Sequence, residues 1–335
     1  MCLLGLVIAG CGGGGGGDDD KGFDLTATVD GKSVDSFHVS NGQGGTLNVN
    51  SGQEAVLKSS DGVTWTVQSA DATVAYTQVK DPTDTVLDYN LSSAAGGQIV
   101  LAVASKEDAS LTATVTVVVA PQQYTRKDAV VGAYSIYDVT DTSVTGTLTP
   151  SSYERLTTAV NTDGSYTTNS LNALLTVTDT YTANADGNRL SRAYVATYGT
   201  RNGDNCTYTP DRHYLSYPMY VGKTWTATWD YACTSAAHET GELNAVVEAF
   251  EPVTVGAGTF DALRVRLDTK ITNSNDTNLA NGSAGTAQYQ IAILGWYVPS
   301  LGQYVKFQRD WTYVGSTPSY YVSHEIESMR ETGQQ

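Results

Sequence analysis

Four cysteines, four histidines and 35 carboxylates are the groups from which this 335-residue chain could build a reactive centre. A serine nucleophile elbow needs Gly-x-Ser-x-Gly, and in Asn281-Gly282-Ser283-Ala284-Gly285 the first glycine is misplaced. His238-Glu239-Thr240-Gly241-Glu242 opens like a zinc-protease helix but has no second histidine where that site requires one. Asn161-x-Asp163-Gly164 and Asn184-x-Asp186-Gly187 echo a calcium loop, yet lack its opening acid and closing glutamate, and read as hairpin turns. His324-Glu325 falls in an alternating strand pattern and reads as a surface pair. The scattered histidines make no metal set, and no motif points to a cofactor. Cys206 and Cys233 remain once Cys2 and Cys11 are assigned to a leader. In an exported protein such a pair is a disulfide by default, closing a loop that contributes roughly 3.5 kcal/mol. Two free thiols or a metal pair are the alternative. No set of residues names a catalytic activity, and no catalytic residue is expected.

The most specific stretch is residues 1–20. A short apolar run ends in Ile8-Ala9-Gly10-Cys11, followed by six glycines and Asp18-Asp19-Asp20. Leu3 to Ile8 is far too short to cross a bilayer, which takes about 20 residues. Small residues before a cleavage point mark an export signal. Residues 1–10 resemble a bacterial lipoprotein signal peptide, with Cys11 as the lipidated residue. The resemblance implies diacylation, cleavage and a third acyl chain on the new amino terminus. One chain anchors only marginally, at about 0.8 kcal/mol per buried methylene, whereas three hold for good. The basic residues that usually precede the core are missing, so the true start is expected upstream of Met1. Residues 11–21 then form a flexible tether, since glycine runs behave as coils. By the same resemblance, Gly12 after the cysteine favours the outer membrane. The expected location is the cell envelope, with the membrane reached through the lipid anchor.

A formal net charge of −16 repels phosphate backbones and excludes nucleic acid as a partner. With 40% hydrophobic and 16% charged residues the chain is globular. Valine, threonine and tyrosine suit pleated, half-buried surfaces, and Asp-Gly and Asn-Gly pairs recur at hairpin spacing. An all-β protein is expected: an immunoglobulin-like sandwich followed by a larger antiparallel domain of half-barrel type. The sandwich covers residues 22–120. Leu111-Thr112-Ala113-Thr114-Val115-Thr116-Val117 alternates throughout, and Trp65 is the candidate core aromatic. This half resembles bacterial immunoglobulin-like modules, on Gly52-Gln53-Glu54-Ala55-Val56-Leu57, Trp65-Thr66-Val67 and the closing alternating strand. Residues 121–127, around Pro121, are the expected linker. Beyond residue 126 lie 18 of the 21 tyrosines and four of the five tryptophans, so a compositional boundary coincides with the proline.

Residues 128–330 form the second domain. Leu263, Val265, Leu267 and Ile271 share one face and Arg264, Arg266, Asp268 and Lys270 the other, as in a long strand with one wet side. Ala287, Tyr289, Ile291 and Ile293 repeat the pattern, and Trp225 and Trp229 point the same way. Long antiparallel strands suit a barrel or half-barrel. Three stretches resemble a set found in uncharacterised envelope lipoproteins similar to the LolA/LolB/LppX half-barrels: Tyr217-Pro218-Met219-Tyr220-Val221-Gly222-Lys223-Thr224-Trp225, Val253-Thr254-Val255-Gly256-Ala257-Gly258-Thr259-Phe260-Asp261-Ala262 and Trp296-Tyr297-Val298-Pro299-Ser300-Leu301-Gly302-Gln303-Tyr304-Val305-Lys306. The resemblance implies a concave apolar face. Candidate ligand contacts are Tyr217, Tyr220, Trp225, Trp229, Trp296, Tyr297 and Tyr304. The leading functional expectation is a non-enzymatic envelope protein holding an apolar or lipid-like ligand. The alternative is a surface adhesion or scaffold module that contacts glycan or an envelope protein, and a hydrolase ranks last.

Overall fold

The structure is a computed structural model that describes residues 22–40, 43–80, 86–195, 202–274, 286–315 and 321–335. Cys11 and its tether lie outside the described residues, as does Ser283. The chain divides into two compact units, one ending at Gln123 and one spanning Tyr124–Gln335.

Among the described residues the first unit has nine strands: β1 Phe23–Val29, β2 Lys32–Val39, β3 Gln43–Asn50, β4 Glu54–Ser59, β5 Val63–Ala70, β6 Ala75–Lys80, β7 Val86–Ser92, β8 Gly97–Ser105 and β9 Thr112–Ala120. They make two sheets, ordered β2-β1-β4-β7-β6 and β3-β9-β8-β5. The β3–β9 pair is parallel. Alternation turns one face of each strand inward, so Leu25, Leu57 and Leu87 of one sheet meet Trp65, Leu101 and Val115 of the other in a single core. Trp65 is buried there. The β1–β2 connection is two residues, Asp30 and Gly31, with φ of 49° and 72°. That positive-φ pair is the hairpin geometry Asp-Gly favours.

Among the described residues the second unit has twelve strands: β10 Ala133–Ser143, β11 Leu148–Val160, β12 Tyr166–Asn172, β13 Val177–Ala183, β14 Arg189–Tyr194, β15 Asn205–Arg212, β16 Thr224–Cys233, β17 His238–Val255, β18 Gly258–Ser274, β19 Thr286–Val298, β20 Gln303–Tyr313 and β21 Val322–Gln334. Each pairs with the next, and β10 pairs with β21, so the sheet closes into an antiparallel barrel. The all-β class is as the sequence indicates, but the half-barrel shape expected for this domain becomes a full circle. Closure satisfies the edges that an open sheet would leave unpaired. The Asn161 and Asn184 stretches are hairpin turns, with Asp163 accepting from the Ser165 amide and hydroxyl at 2.9 and 2.6 Å.

On β18 the alternation sorts as expected. Leu263, Val265 and Leu267 are buried in the barrel, while Arg264 and Arg266 stand outside and bind Glu248 and Glu251. Such charges cost about 2–4 kcal/mol each against hydrocarbon, so this wall is built for water. The β17–β18 hairpin runs past its neighbours and reaches β21, where the Ala257 amide donates to the Met329 carbonyl at 3.1 Å. Gly256 makes that approach possible, since a Cβ there would lie 3.1 Å from the Arg330 Cα.

Candidate functional site

A twelve-stranded barrel is wider than the eight-stranded kind that valine and leucine can fill. Long inward side chains therefore meet in this lumen, and its two walls differ. Strands β16 to β20 contribute Leu243, Val247, Leu267, Ile271, Ile291 and Ile293. Strands β11 to β15 contribute Arg155, Asp179, Arg189, Arg192 and Arg212, and β20–β21 add Arg309, Glu325 and Glu327. A cavity of about 460 Å³ lies between the walls, lined by all five arginines and by Leu215, Ile291, Ile293, Tyr304, Phe307 and Trp311 among others.

Three of the arginines are neutralised by carboxylates. Glu327, with its side chain 5% exposed, lies 2.8 Å from Arg309 Nη1 and 3.5 Å from Arg155 Nη2. It also accepts the Tyr153 hydroxyl, and Glu325 pairs with Arg309 as well. Burial pushes the Glu327 carboxyl up, but Arg309 and Arg155 outweigh it, and the group sits below the ordinary glutamate range. Arg192 binds Asp179 at 2.7 Å. Asp141, above this network on β10, has a buried Oδ1 without a hydrogen-bond partner, and burial raises its carboxyl against the pull of Arg309. Among the described residues neither Arg189 nor Arg212 has a carboxylate within ion-pair distance, although the Glu239 charge acts on Arg212 from further off.

The sequence-level candidates fall in several places. Trp225 and Trp229 point into the barrel, as their shared parity requires. Tyr297 is buried, with its hydroxyl 2.6 Å from that of Tyr217; burial pushes it up to about 12, against the opposing hydrogen bond from Tyr217. Tyr304 lines the cavity, whereas Tyr217 lines a neighbouring opening with Arg155 and Gly187. Tyr220 sits in the turn before β16, where its carbonyl accepts from the Lys223 amide. Trp296 lies elsewhere, donating its indole N–H to Glu251 at 2.9 Å beneath the Lys306 ammonium. The first and third motifs thus meet through the Tyr217–Tyr297 contact, and the second packs on the third where Val253 and Ala262 join Trp296, Val298 and Val305 in one cluster.

Cys206 and Cys233 form a disulfide between directly opposed residues of β15 and β16. The four histidines are dispersed: His38, His213, His238 and His324 each contact a different aspartate. The His238–Glu239 stretch is strand, and Glu239 accepts the Trp229 indole N–H at 2.8 Å. That bond holds the indole over Gly241, where a Cβ would come within 2.1 Å of the ring. Gly241→Ala should therefore destabilise the barrel by about 1–3 kcal/mol, read as a lower melting temperature. An unchanged melt would refute this packing.

Sequence reasoning missed the arginines, although a signal was present. Tyr153-x-Arg155, Arg192-x-Tyr194 and Phe307-x-Arg309 place an arginine two residues from an aromatic on the same strand face, and Arg212-x-Tyr214 does so across the end of β15. In each the guanidinium lies over that ring, at 5.1, 4.0, 4.4 and 4.3 Å. Spacing of two on a strand means stacking inside a barrel rather than solvated charge.

The fold and site define a twelve-stranded antiparallel barrel with an arginine-lined lumen, preceded by a β-sandwich. No protein-family model matches the chain, and no curated protein matches it. Among solved structures, similarity is found to a candidate exported protein with a YmcC-like fold from Bacteroides fragilis, at 12% identity and a TM-score of 0.37, covering 63% of this chain and 100% of that one. A candidate lipoprotein from Parabacteroides distasonis follows at 13% identity and 0.33, with coverage of 63% and 100%. The hypothetical lipoprotein YmcC from Escherichia coli gives 10% and 0.30, covering 60% and 86%. These likenesses are too distant to carry an argument.

Proposed function

We propose that this chain is a non-enzymatic protein of the bacterial cell envelope, lipid-anchored in the outer membrane, whose C-terminal barrel binds a small ligand in its lumen. The anchor reading rests on the Ile8-Ala9-Gly10-Cys11 sequence and the tether after it. The binding reading rests on one observation, the cavity of about 460 Å³ with an apolar wall of Ile291, Ile293 and Phe307. Its volume is in the range of small-molecule sites. The apolar wall suits the lipid-like ligand expected from the sequence, while the opposite wall adds charge that a purely apolar ligand would leave unused.

N-phenylnaphthylamine, a neutral fluorescent apolar probe, tests the binding reading. The full chain should bind it saturably, and Ile291→Phe, which adds bulk to the apolar wall, should weaken binding several-fold. Absence of saturable binding would remove the lumen from the proposal. The anchor is checked separately by mass spectrometry of membrane fractions, where an acylated Cys11 at the mature terminus is expected; an unmodified soluble chain would defeat it.

A second reading, contact with a protein partner, is favoured by the hairpin tips at the other end of the barrel. Leu148 at the start of β11 is 65% exposed, and Leu174 and Leu175 on the β12–β13 connection are 85% and 68% exposed. Single apolar residues at a surface are ordinary, which keeps this reading second.

A further inference from the structure

Register places Arg189 of β14 directly opposite Arg212 of β15. Like charges at directly opposed positions destabilise a sheet, and here both face the lumen. The other three lumen arginines each have a carboxylate within 4.0 Å. These two have none among the described residues. Arg189 lies over the Tyr181 ring at 4.2 Å. Arg212 lies over Tyr214 at 4.4 Å and donates Nη2 to the Tyr214 hydroxyl. Its Nε is buried with no hydrogen-bond partner. An arginine carries five N–H donors in a rigid fork, and a buried donor without an acceptor is costly. Two forks on opposed backbone positions, lining one cavity and holding spare donors, are what an oxyanion would complete. Ile291, Ile293, Phe307 and Trp311 line the same cavity.

Building on the reading of the lumen as a ligand site, we propose that Arg189 and Arg212 form an oxyanion subsite. Its ligand is a carboxylate or phosphate group, carried on an apolar body that lies along Ile291, Ile293, Phe307 and Trp311. The two guanidinium groups would grip the head by charge-assisted, fork-shaped hydrogen bonding. The paired arginines Arg155, Arg192 and Arg309 hold the surrounding wall.

The test uses the full chain and three probes: cis-parinarate, a fluorescent fatty-acid anion; inorganic phosphate; and neutral N-phenylnaphthylamine. Cis-parinarate should bind saturably, and Arg189→Gln should weaken it by about ten- to a hundredfold, the share of one charge-assisted hydrogen-bonded contact. N-phenylnaphthylamine affinity should not change in that variant. Without ligand, Arg189→Gln should melt at or above the wild-type temperature, because the opposed charges are relieved. Arg189→Lys keeps the charge but loses the fork, and should also weaken cis-parinarate; it serves if the glutamine variant fails to fold. Competition by inorganic phosphate would support the subsite with a free anion as its source. Cis-parinarate binding that resists phosphate would support it with an amphiphile as its source. If N-phenylnaphthylamine binds while cis-parinarate and phosphate do not, or if Arg189→Gln and Arg189→Lys both leave cis-parinarate affinity unchanged, the subsite is overturned and the lumen reading survives. If no probe binds, both fall.

Discussion

Glu327→Gln should cost the barrel about 3 kcal/mol, the lower part of the range for removing one partner of a buried ion pair. The carboxylate is shared by Arg309, Arg155 and the Tyr153 hydroxyl. Removing its charge leaves Arg155 without its only carboxylate partner among the described residues. Arg309 keeps Glu325, which is why the loss stays at the low end. Urea denaturation followed by tryptophan fluorescence reads the barrel, because four of the five tryptophans lie in it. A loss well below 1 kcal/mol would mean that the network contributes little. Replacing the whole network with apolar residues of similar volume should cost far less than the single change, because no charge is then stranded.

The same group sets an acid limit. Its folded value lies below the ordinary glutamate value of 4.5. A carboxylate lowered by folding stabilises fully above the unfolded value and loses that contribution as pH falls through the folded one. Barrel stability should therefore fall as pH drops below about 4.5, and this component should vanish in Glu327→Gln. An identical acid profile in the variant would refute the assignment.

Replacing Cys206 and Cys233 together by alanine should cost about 3.5 kcal/mol on the loop-entropy account. The location makes the effect matter. β15 pairs with β16 only over Cys206–Thr209 against Asp230–Cys233, and with β14 only through scattered pairs interrupted by a register shift. Elsewhere β17 and β18 pair over their whole lengths, from His238↔Ser274 to Val255↔Gly258. The disulfide thus fastens a short seam in a closed sheet. Loss of the bond should lower the melting temperature and raise amide exchange first in β14 to β16. Uniform exchange across the barrel, or a melt unchanged by dithiothreitol, would contradict this.

Much of the fold was legible because strand alternation is a local property. Phe23–Val29 can be read to the residue, and the parity of Leu263, Val265 and Leu267 against Arg264 and Arg266 gives the inner and outer walls of β18. Trp225 and Trp229 follow the same rule. Closure was not legible, since it depends on β10 meeting β21, and no local pattern distinguishes an edge strand from a paired one. The site was read less well. Trp296 belongs to an aromatic-rich motif but serves to bind Glu251 and Lys306. The arginines look like ordinary surface charges until barrel parity turns them inward; a two-residue spacing from tyrosine or phenylalanine marks Arg155, Arg192, Arg212 and Arg309 in the sequence, and Arg189 carries no such mark.

Pairing between β10 and β21 joins Ala133 to Gln334. The barrel therefore cannot close until nearly all of its chain is available, and the loop that must be ordered spans the whole unit. The sandwich is complete by Ala120, with partners drawn from its own short stretch of sequence. During synthesis from the amino terminus, domains fold as units in order of appearance. The first unit can settle while the second remains an open ribbon with two adhesive edges. The interval between them is when this chain is most exposed to aggregation, and the chaperones of its compartment would have to cover it.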